Sequence, residues 1–245
     1  MSNSSVQSVD RAIAILEILA REGATRVTDL ASELDVHKST ASRLLGALEQ
    51  GGLVEQTGDR GRYRLGVGVV RLAGAATAQL DLAKESRPVC RRLAGELGET
   101  VNIAVARDGD VVNISQVRGP SAISGQSWTG ARTPPHATSS GKVLLAFGAL
   151  DVPAELHRFT PLTITDERQL GLEEIVRRGW AAAVEELEPG LNAVAAPIRN
   201  IDGTVVAAVS ASGPSFRLTP QRLPEMGACV AEGAQEISQR LGYYG

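Results

Sequence analysis

Val27–Val54, VTDLASELDVHKSTASRLLGALEQGGLV, is the stretch on which the reading of this chain turns. Taken as two short helices joined by a tight turn, its apolar residues fall where a helix-turn-helix needs them. Leu30 and Ala31 give the first helix its inner face, and the small Ala31 allows a close crossing. Leu34 and Val36 bracket the turn. Between them Asp35 takes the position that demands a positive φ, where Asp is one of the few non-glycine residues tolerated. Ala41, Leu44, Leu45 and Leu48 recur at helical spacing and pin the second helix to the first. Its outward face then carries His37, Lys38, Ser39, Thr40, Ser42 and Arg43, a set of donors near a helix N-terminus. That is how a recognition helix meets base edges and phosphates in a major groove of double-stranded DNA. The alternative is an ordinary helical hairpin with a polar outer face, which leaves the turn, the small residue and the polar cluster as unrelated features.

The next residues extend the module. Leu53–Gln56 and Arg62–Leu65 read as short strands joined by Thr57-Gly58-Asp59-Arg60-Gly61, a tight hairpin turn. A two-stranded wing after a recognition helix makes a winged helix-turn-helix, with Arg60, Arg62 and Arg64 available to phosphates or a minor groove. Between Val36 and Arg71 six basic side chains face three acidic ones, whereas the whole chain of 245 residues carries a net charge of −3. A basic face confined to one module suits a sequence reader and excludes a non-specific polybasic binder.

A chain of this length suits two domains. No apolar run approaches the roughly 18 residues of a membrane span, and MSNSSVQSVD lacks the basic and apolar regions of a secretion signal. Cys90 and Cys229 lie far apart and read as free, buried thiols, so a cytoplasmic protein without disulfides is expected. Asp10–Arg21 reads as a helix with Ile13, Ile15, Leu16 and Leu19 on its apolar side, capped by Ser8 or Asp10 and ended by Gly23. A linker helix rich in small residues follows the wing from Val67, and a further helix covers Leu82–Leu97, with Pro88 at a first turn or a kink. From Gly98 the period becomes strand-like: Thr100–Ala106 and Val111–Val117 flank an Asp-Gly hairpin, and Ala122–Trp128 reads as a further strand. Two prolines keep Gly130–His136 irregular. Helices over Thr138–Phe147 and Asp166–Arg178, strands over Trp180–Glu185, Ala193–Asn200 and Val205–Ser212, and a long helix over Pro220–Leu241 complete an α+β domain. Its mostly antiparallel sheet is expected to have one face covered by helices.

Few constellations carry chemistry. Ser139-Ser140-Gly141-Lys142 holds an S-x-x-K spacing without its companion motifs, so a small-molecule enzyme using Ser139 and Lys142 is the rival reading. The same residues read more simply as a helix N-terminus whose free N–H groups favour an anionic or polar ligand. His37, His136 and His157 have no metal-ligand spacing, so neither metal nor cofactor is expected. Glu185, Glu186 and Glu188 read as a solvated turn before Pro189-Gly190.

Ordered blocks along nearly the whole chain resemble the IclR family of bacterial transcriptional regulators. They are SVDRAIAILEIL (Ser8–Leu19), KSTASRLLGALEQGGLV (Lys38–Val54), GRYRLG (Gly61–Gly66), GETVNIAV (Gly98–Val105), PHATSSGKVLLAF (Pro135–Phe147), RRGWA with EPG (residues 177–190), VAAPIRNIDGTVVAAVSASGP (Val194–Pro214) and RLTPQRLPE (Arg217–Glu225). The resemblance implies a winged helix-turn-helix over residues 1–66, a linker helix over 67–80 and a GAF-like effector-binding and oligomerisation domain over 81–245. It implies a homodimer or homotetramer that binds operator DNA, more often as a repressor, in response to a small organic acid. Carried over residue by residue, the effector pocket takes Gly130 and Ala131 from the loop and Ser210 and Ser212 from a strand. Where the family's better-known acid binders have an Asp and a Cys, this chain has Ala183 and Asn192-Ala193. Ala183 and Ala193 therefore either line an apolar floor suited to a larger or aromatic acid or simply pack the core. Trp128 is either a flat wall of that pocket or a structural residue.

Overall fold

The computed structural model describes residues 6–58, 61–77, 81–121 and 127–245. The chain divides into two compact units, Met1–Gln79 and Leu80–Gly245. The first contains α1 (Gln7–Glu22), β1 (Thr25–Arg26), α2 (Val27–Glu33), α3 (Lys38–Gln50), β2 (Val54–Gln56), β3 (Arg62–Leu65) and α4 (Val67–Thr77). Helix α1 starts earlier than the capping pattern predicts. Val6 is its N-cap with no side-chain bond, and Ser8 and Asp10 lie inside the first turns. Gly23, at φ 72°, ends the helix as expected. Ile15, Ile18, Leu19, Leu30, Leu45, Leu48 and Val54 form the core of this unit. Ile13 does not join them and is 50% exposed. At 3.6 residues per turn it points about 200° away from Ile15, so the two residues never share a face.

Asp35 adopts φ 50°, and the Val36 amide closes the turn onto Ala31 O at 2.9 Å. The wing is antiparallel, with Val54 opposite Leu65 and Gln56 opposite Tyr63. Strand β1 adds a third member through Thr25–Tyr63 and Arg26–Arg62 pairs. Two residues are too few for an alternation to reveal, and the sequence reading missed this strand. Asp59 and Arg60 lie outside the described residues.

The second unit contains α5 (Leu82–Leu97), β4 (Thr100–Arg107), β5 (Asp110–Val117), β6 (Arg132–Thr133), α6 (Ser139–Ala146), α7 (Leu172–Arg178), β7 (Ala181–Val184), β8 (Leu191–Arg199), β9 (Val205–Pro214) and α8 (Leu223–Arg240). The six strands pair antiparallel in the order β6-β5-β4-β9-β8-β7. Asp108 and Gly109, at φ 52° and 83°, make the β4–β5 turn that the Asp-Gly dipeptide predicts. Several boundaries differ from the sequence reading. Pro88 sits in the second turn of α5, which continues through it. The loop expected to be irregular supplies β6, whose Thr133 pairs with Val111 just before Pro134 ends the strand. Residues 122–126 of the further strand expected at Ala122–Trp128 lie outside the described residues, and Ser127 and Trp128 are not in a strand. The single helix expected over Asp166–Arg178 is broken. Gly171, left-handed at φ 65°, separates a 3-10 turn at Glu167–Gln169 from α7.

Alternation along the strands gives the sheet two faces. One presents Val101, Ile103, Val194, Ala196, Ile198, Val209 and Ala211 to α5 and α8, and this is the main core. The other carries Ala104, Ala181, Ala195 and Ala208, packed against Val143 and Leu144 of α6 and Ile175 of α7. Helices therefore cover both faces, not one. Cys90 is buried in the main core, where loss of water pushes its thiol up to about 11. Cys229, expected to be buried too, is partly exposed, and both thiols are free.

Candidate functional site

Two features present polar chemistry, one in each unit. In the first unit, α3 carries its donors at its N-terminal end. His37 is the N-cap: its Nδ1 accepts the Ser39 amide at 3.3 Å and lies 2.8 Å from the Ser39 hydroxyl. His37 and Ser39 thus spend part of their hydrogen-bonding capacity on starting the helix. Lys38, Ser42 and Arg43 are exposed, and Thr40 is half-buried. Among the described residues neither the Lys38 nor the Arg43 side chain has a hydrogen bond or ion pair, which leaves two uncommitted cations on the outward face. The wing arginines are more committed. Arg64 pairs with Glu55 across the hairpin at 2.6 Å, and Arg62 donates to Ala24 O at 3.4 Å.

In the second unit, a cavity partly open to solvent lies between the second face of the sheet and the start of α6. Its floor crosses the sheet from Asn113 on β5 through Asn102 on β4 and Ser210 and Ser212 on β9 to Ala193 on β8 and Ala183 on β7. Pairing sets this order: Asn102 stands opposite Ser210, Ser212 opposite Ala193, and Ala193 opposite Ala183. Trp128 and Thr133 form one side, Leu187 and Leu191 another, and Thr138, Ser139 and Ser140 the roof. Among the described residues that line it, none carries a formal charge.

The roof is fixed by two devices. Thr138 caps α6: its hydroxyl accepts the Gly141 amide at 3.1 Å and donates to Pro134 O at 3.0 Å. Gly141 packs directly on the preceding turn, where a Cβ would stand 2.2 Å from Pro135 O. One turn on, the Lys142 ammonium meets Glu186 Oε1 at 2.6 Å and donates to Ala182 O at 3.2 Å. Burial holds this ammonium below the usual lysine range, against the attraction of Glu186 and with some help from Arg178. Glu186, read from sequence as part of a solvated turn, is only 6% exposed. Its Oε1 also accepts the Val184 amide at 3.2 Å, while Oε2 has no partner among the described residues. The pair ties α6 to the β7–β8 turn. It also explains the S-x-x-K spacing, because Lys142 is committed to Glu186 and makes no hydrogen bond with Ser139.

Of the effector residues read from sequence, Trp128, Ala183, Ala193, Ser210 and Ser212 come together around the cavity. Three do not line it. Asn192 is one residue out of phase with Ala193, so it faces the opposite side of β8. There its amide donates to Leu218 O at 2.7 Å and accepts from Glu185 N at 3.0 Å. The Gly130 amide donates to Asn113 O at 2.7 Å and the Ala131 amide to Trp128 O at 2.9 Å, so both N–H groups are spent on holding Trp128 against β5. The sequence reading missed Asn102 and Asn113. The signal was present: in TVNIAVA, Asn102 alternates with Val101 and Ile103 and so shares a buried face with alanines, where an amide has no packing reason to be.

A winged helix-turn-helix, followed by a sheet domain with a solvent-open cavity of mixed polar and apolar lining, is the architecture of a transcriptional regulator that carries its own sensor. The chain belongs to the IclR family of bacterial transcriptional regulators. Residues 8–58 match the IclR helix-turn-helix domain, and residues 74–239 match the bacterial transcriptional regulator IclR C-terminal domain. It is 37% identical to the HTH-type transcriptional repressor AllR of Klebsiella pneumoniae, over 98% of this chain and 92% of that one. Among solved structures, the Agobacterium tumefaciens repressor BlcR shares the fold, with a TM-score of 0.81 at 23% identity over 99% and 100% of the two chains. An IclR homolog from Microbacterium hydrocarbonoxydans, solved with 4-hydroxybenzoate, has a TM-score of 0.58 at 28% identity over 96% and 98%.

Proposed function

We infer that this chain is a cytoplasmic repressor whose operator binding is altered by a small organic acid held in the cavity of its second unit. The observation that carries the reading is the cavity itself: a floor of alanines and serines under a capped helix start, in a chain that also has a complete recognition helix. An acid places its body over Ala183 and Ala193. Its carboxylate takes the serine hydroxyls and the free N–H groups at the start of α6, which favour negative charge. The AllR relative supports repression, and the 4-hydroxybenzoate complex of the other relative supports an acid of this size. Catalysis is not part of the reading, since Lys142 is committed to an ion pair. Residues 1–66 form the DNA-binding module, 67–80 the linker helix and 81–245 the effector and oligomerisation domain.

The test is fluorescence anisotropy with duplexes covering the promoters beside the chain's own gene, titrated with aromatic and aliphatic acids. Wild type binds one duplex specifically and releases it with an acid. Ser212→Ala weakens that response and Ala193→Leu abolishes it by filling the floor. An unchanged response in both variants places the effector elsewhere.

A further inference from the structure

Strand β1 brings Arg26 directly opposite Arg62 of the wing. Cross-strand partners share a face, with Cβ atoms about 5 Å apart. The neighbouring pair decides which face that is. Thr25 is buried and Tyr63, opposite it, packs on the core, so alternation turns Arg26 and Arg62 outward. Two like charges in this relation destabilise a sheet. Nothing among the described residues neutralises them: the Arg26 side chain has no hydrogen bond or ion pair, and Arg62 has only the long bond to Ala24 O at 3.4 Å. Arg64 shares the face but not the condition, because Glu55 holds it at 2.6 Å and cancels its charge. The net positive charge of this sheet is therefore gathered at one end.

That end is where two parts of the module that approach DNA come together. Arg26 immediately precedes α2, the first helix of the helix-turn-helix, which in such modules crosses the phosphate backbone. Arg62 follows Gly61, the last residue of the wing turn, and the Val27 amide donates to Gly61 O at 2.9 Å. The start of α2 and the tip of the wing are thus tied to each other through this pair of arginines. We propose that Arg26 and Arg62 form a clasp for a phosphate of the DNA backbone, with Arg26 a contact that neither the recognition helix nor the wing hairpin supplies. Phosphate oxygens accept from two guanidinium groups at once, and the phosphate charge removes the repulsion that the unbound protein carries. A backbone contact fixes how the module docks and carries no base sequence. The proposal rests on DNA binding by the winged module and is independent of the effector cavity.

The salt dependence of binding reads it directly. Fluorescence anisotropy of the full chain is followed over a range of salt concentrations, on a promoter duplex and on a scrambled duplex of the same length. Arg26→Gln is expected to weaken both by the same factor. Arg26→Gln/Arg62→Gln, which empties the clasp, lowers the slope of log affinity against log salt by about 0.9 for each protomer engaged; that is about eightfold at about 0.1 M salt when the lines meet near 1 M. Arg26→Lys keeps most of the slope, since the charge remains. The unbound Arg26→Gln variant melts no lower than wild type, because a like-charge pair has been relieved. Wild-type affinity and slope in the double variant overturn the clasp. A loss confined to the promoter duplex overturns a backbone contact in favour of a base contact. A lowered melting temperature with an unchanged slope makes Arg26 structural. Glu55→Gln/Arg64→Gln removes the cancelled pair and is expected to leave the slope as it was; an equal loss there overturns the placement of the contact at the tip end.

Discussion

Replacing Lys142 by methionine is expected to be among the most damaging single changes in the second unit, although methionine keeps an unbranched apolar stem only one atom shorter. At the observed 2.6 Å separation and an effective dielectric near 20, the attraction between Lys142 and Glu186 is about 6 kcal/mol. That gain is largely offset by several kcal/mol of desolvation for each ion, so the intact pair contributes little on balance. Removing one partner leaves the other charge buried with the Val184 amide, at 3.2 Å, as the hydrogen bond to its carboxylate. The expected loss is about 3–5 kcal/mol. For a domain of this size that lowers the melting temperature by about 2–4 °C per kcal/mol. The double variant Lys142→Met/Glu186→Leu removes both charges and is expected to lie within about 1 kcal/mol of wild type. Urea unfolding, following the transition of the second unit, measures all three variants. The pH dependence has a definite sign. Burial holds the folded-state ammonium below 10.5, so the unfolded chain binds that proton more tightly. Between the lowered value and 10.5 the wild type gains stability from this site as pH rises, and Lys142→Met lacks that gain. Strict additivity of the two single changes in the double variant would refute the argument, because it would mean the two charges do not depend on one another.

The other expectations concern separate parts of the chain. Arg43→Ala weakens specific operator binding by about 1–3 kcal/mol if the side chain reads a guanine, and anisotropy at one salt concentration on specific and scrambled duplexes checks it. Gly141→Ala lowers the stability of the second unit by at least about 1–3 kcal/mol, because its Cβ would meet Pro135 O at 2.2 Å; a melting temperature equal to wild type is the contrary result. Val6 at the N-cap and Val9 and Ile13 on α1, with Val67, Val70 and Leu72 on α4, are at least half exposed. A homodimer through these helices would cover them, and on that reading Ile13→Glu should shift sedimentation toward the monomer at micromolar concentration.

Much of the first unit was legible because its signals are local. Asp35 needs a positive φ, Ala41, Leu45 and Leu48 repeat at helical spacing, and the hairpin has its glycines; all were found where the sequence placed them. The second unit was legible in its strands and less so in its site. Ser210, Ser212, Ala183 and Ala193 converge because strand alternation and the antiparallel register are readable rules. Glu186 was misread because its partner lies 44 residues away on α6, a pairing that no local pattern carries. Gly130 and Ala131 stand off the cavity wall for a different reason. Their role was transferred from a resemblance, while their amides here are taken by Asn113 and Trp128. Asn192 fell on the wrong face through a shift of one residue, the smallest error that reverses a strand.

The division of labour between odd and even positions on β8 and β9 has an evolutionary consequence. Val194, Ala196, Val209 and Ala211 hold the domain together, whereas Ala193, Ser210 and Ser212 look only into the cavity. On the effector reading proposed above, chemical taste and folding are thus written on alternate letters of the same strands. A lineage can exchange the letters of one set, adding a thiol, a carboxylate or a methyl group beneath the ligand, while the other set is inherited unchanged. Such a sheet lets descendants acquire new inducers through single codon changes, without first having to evolve a new scaffold.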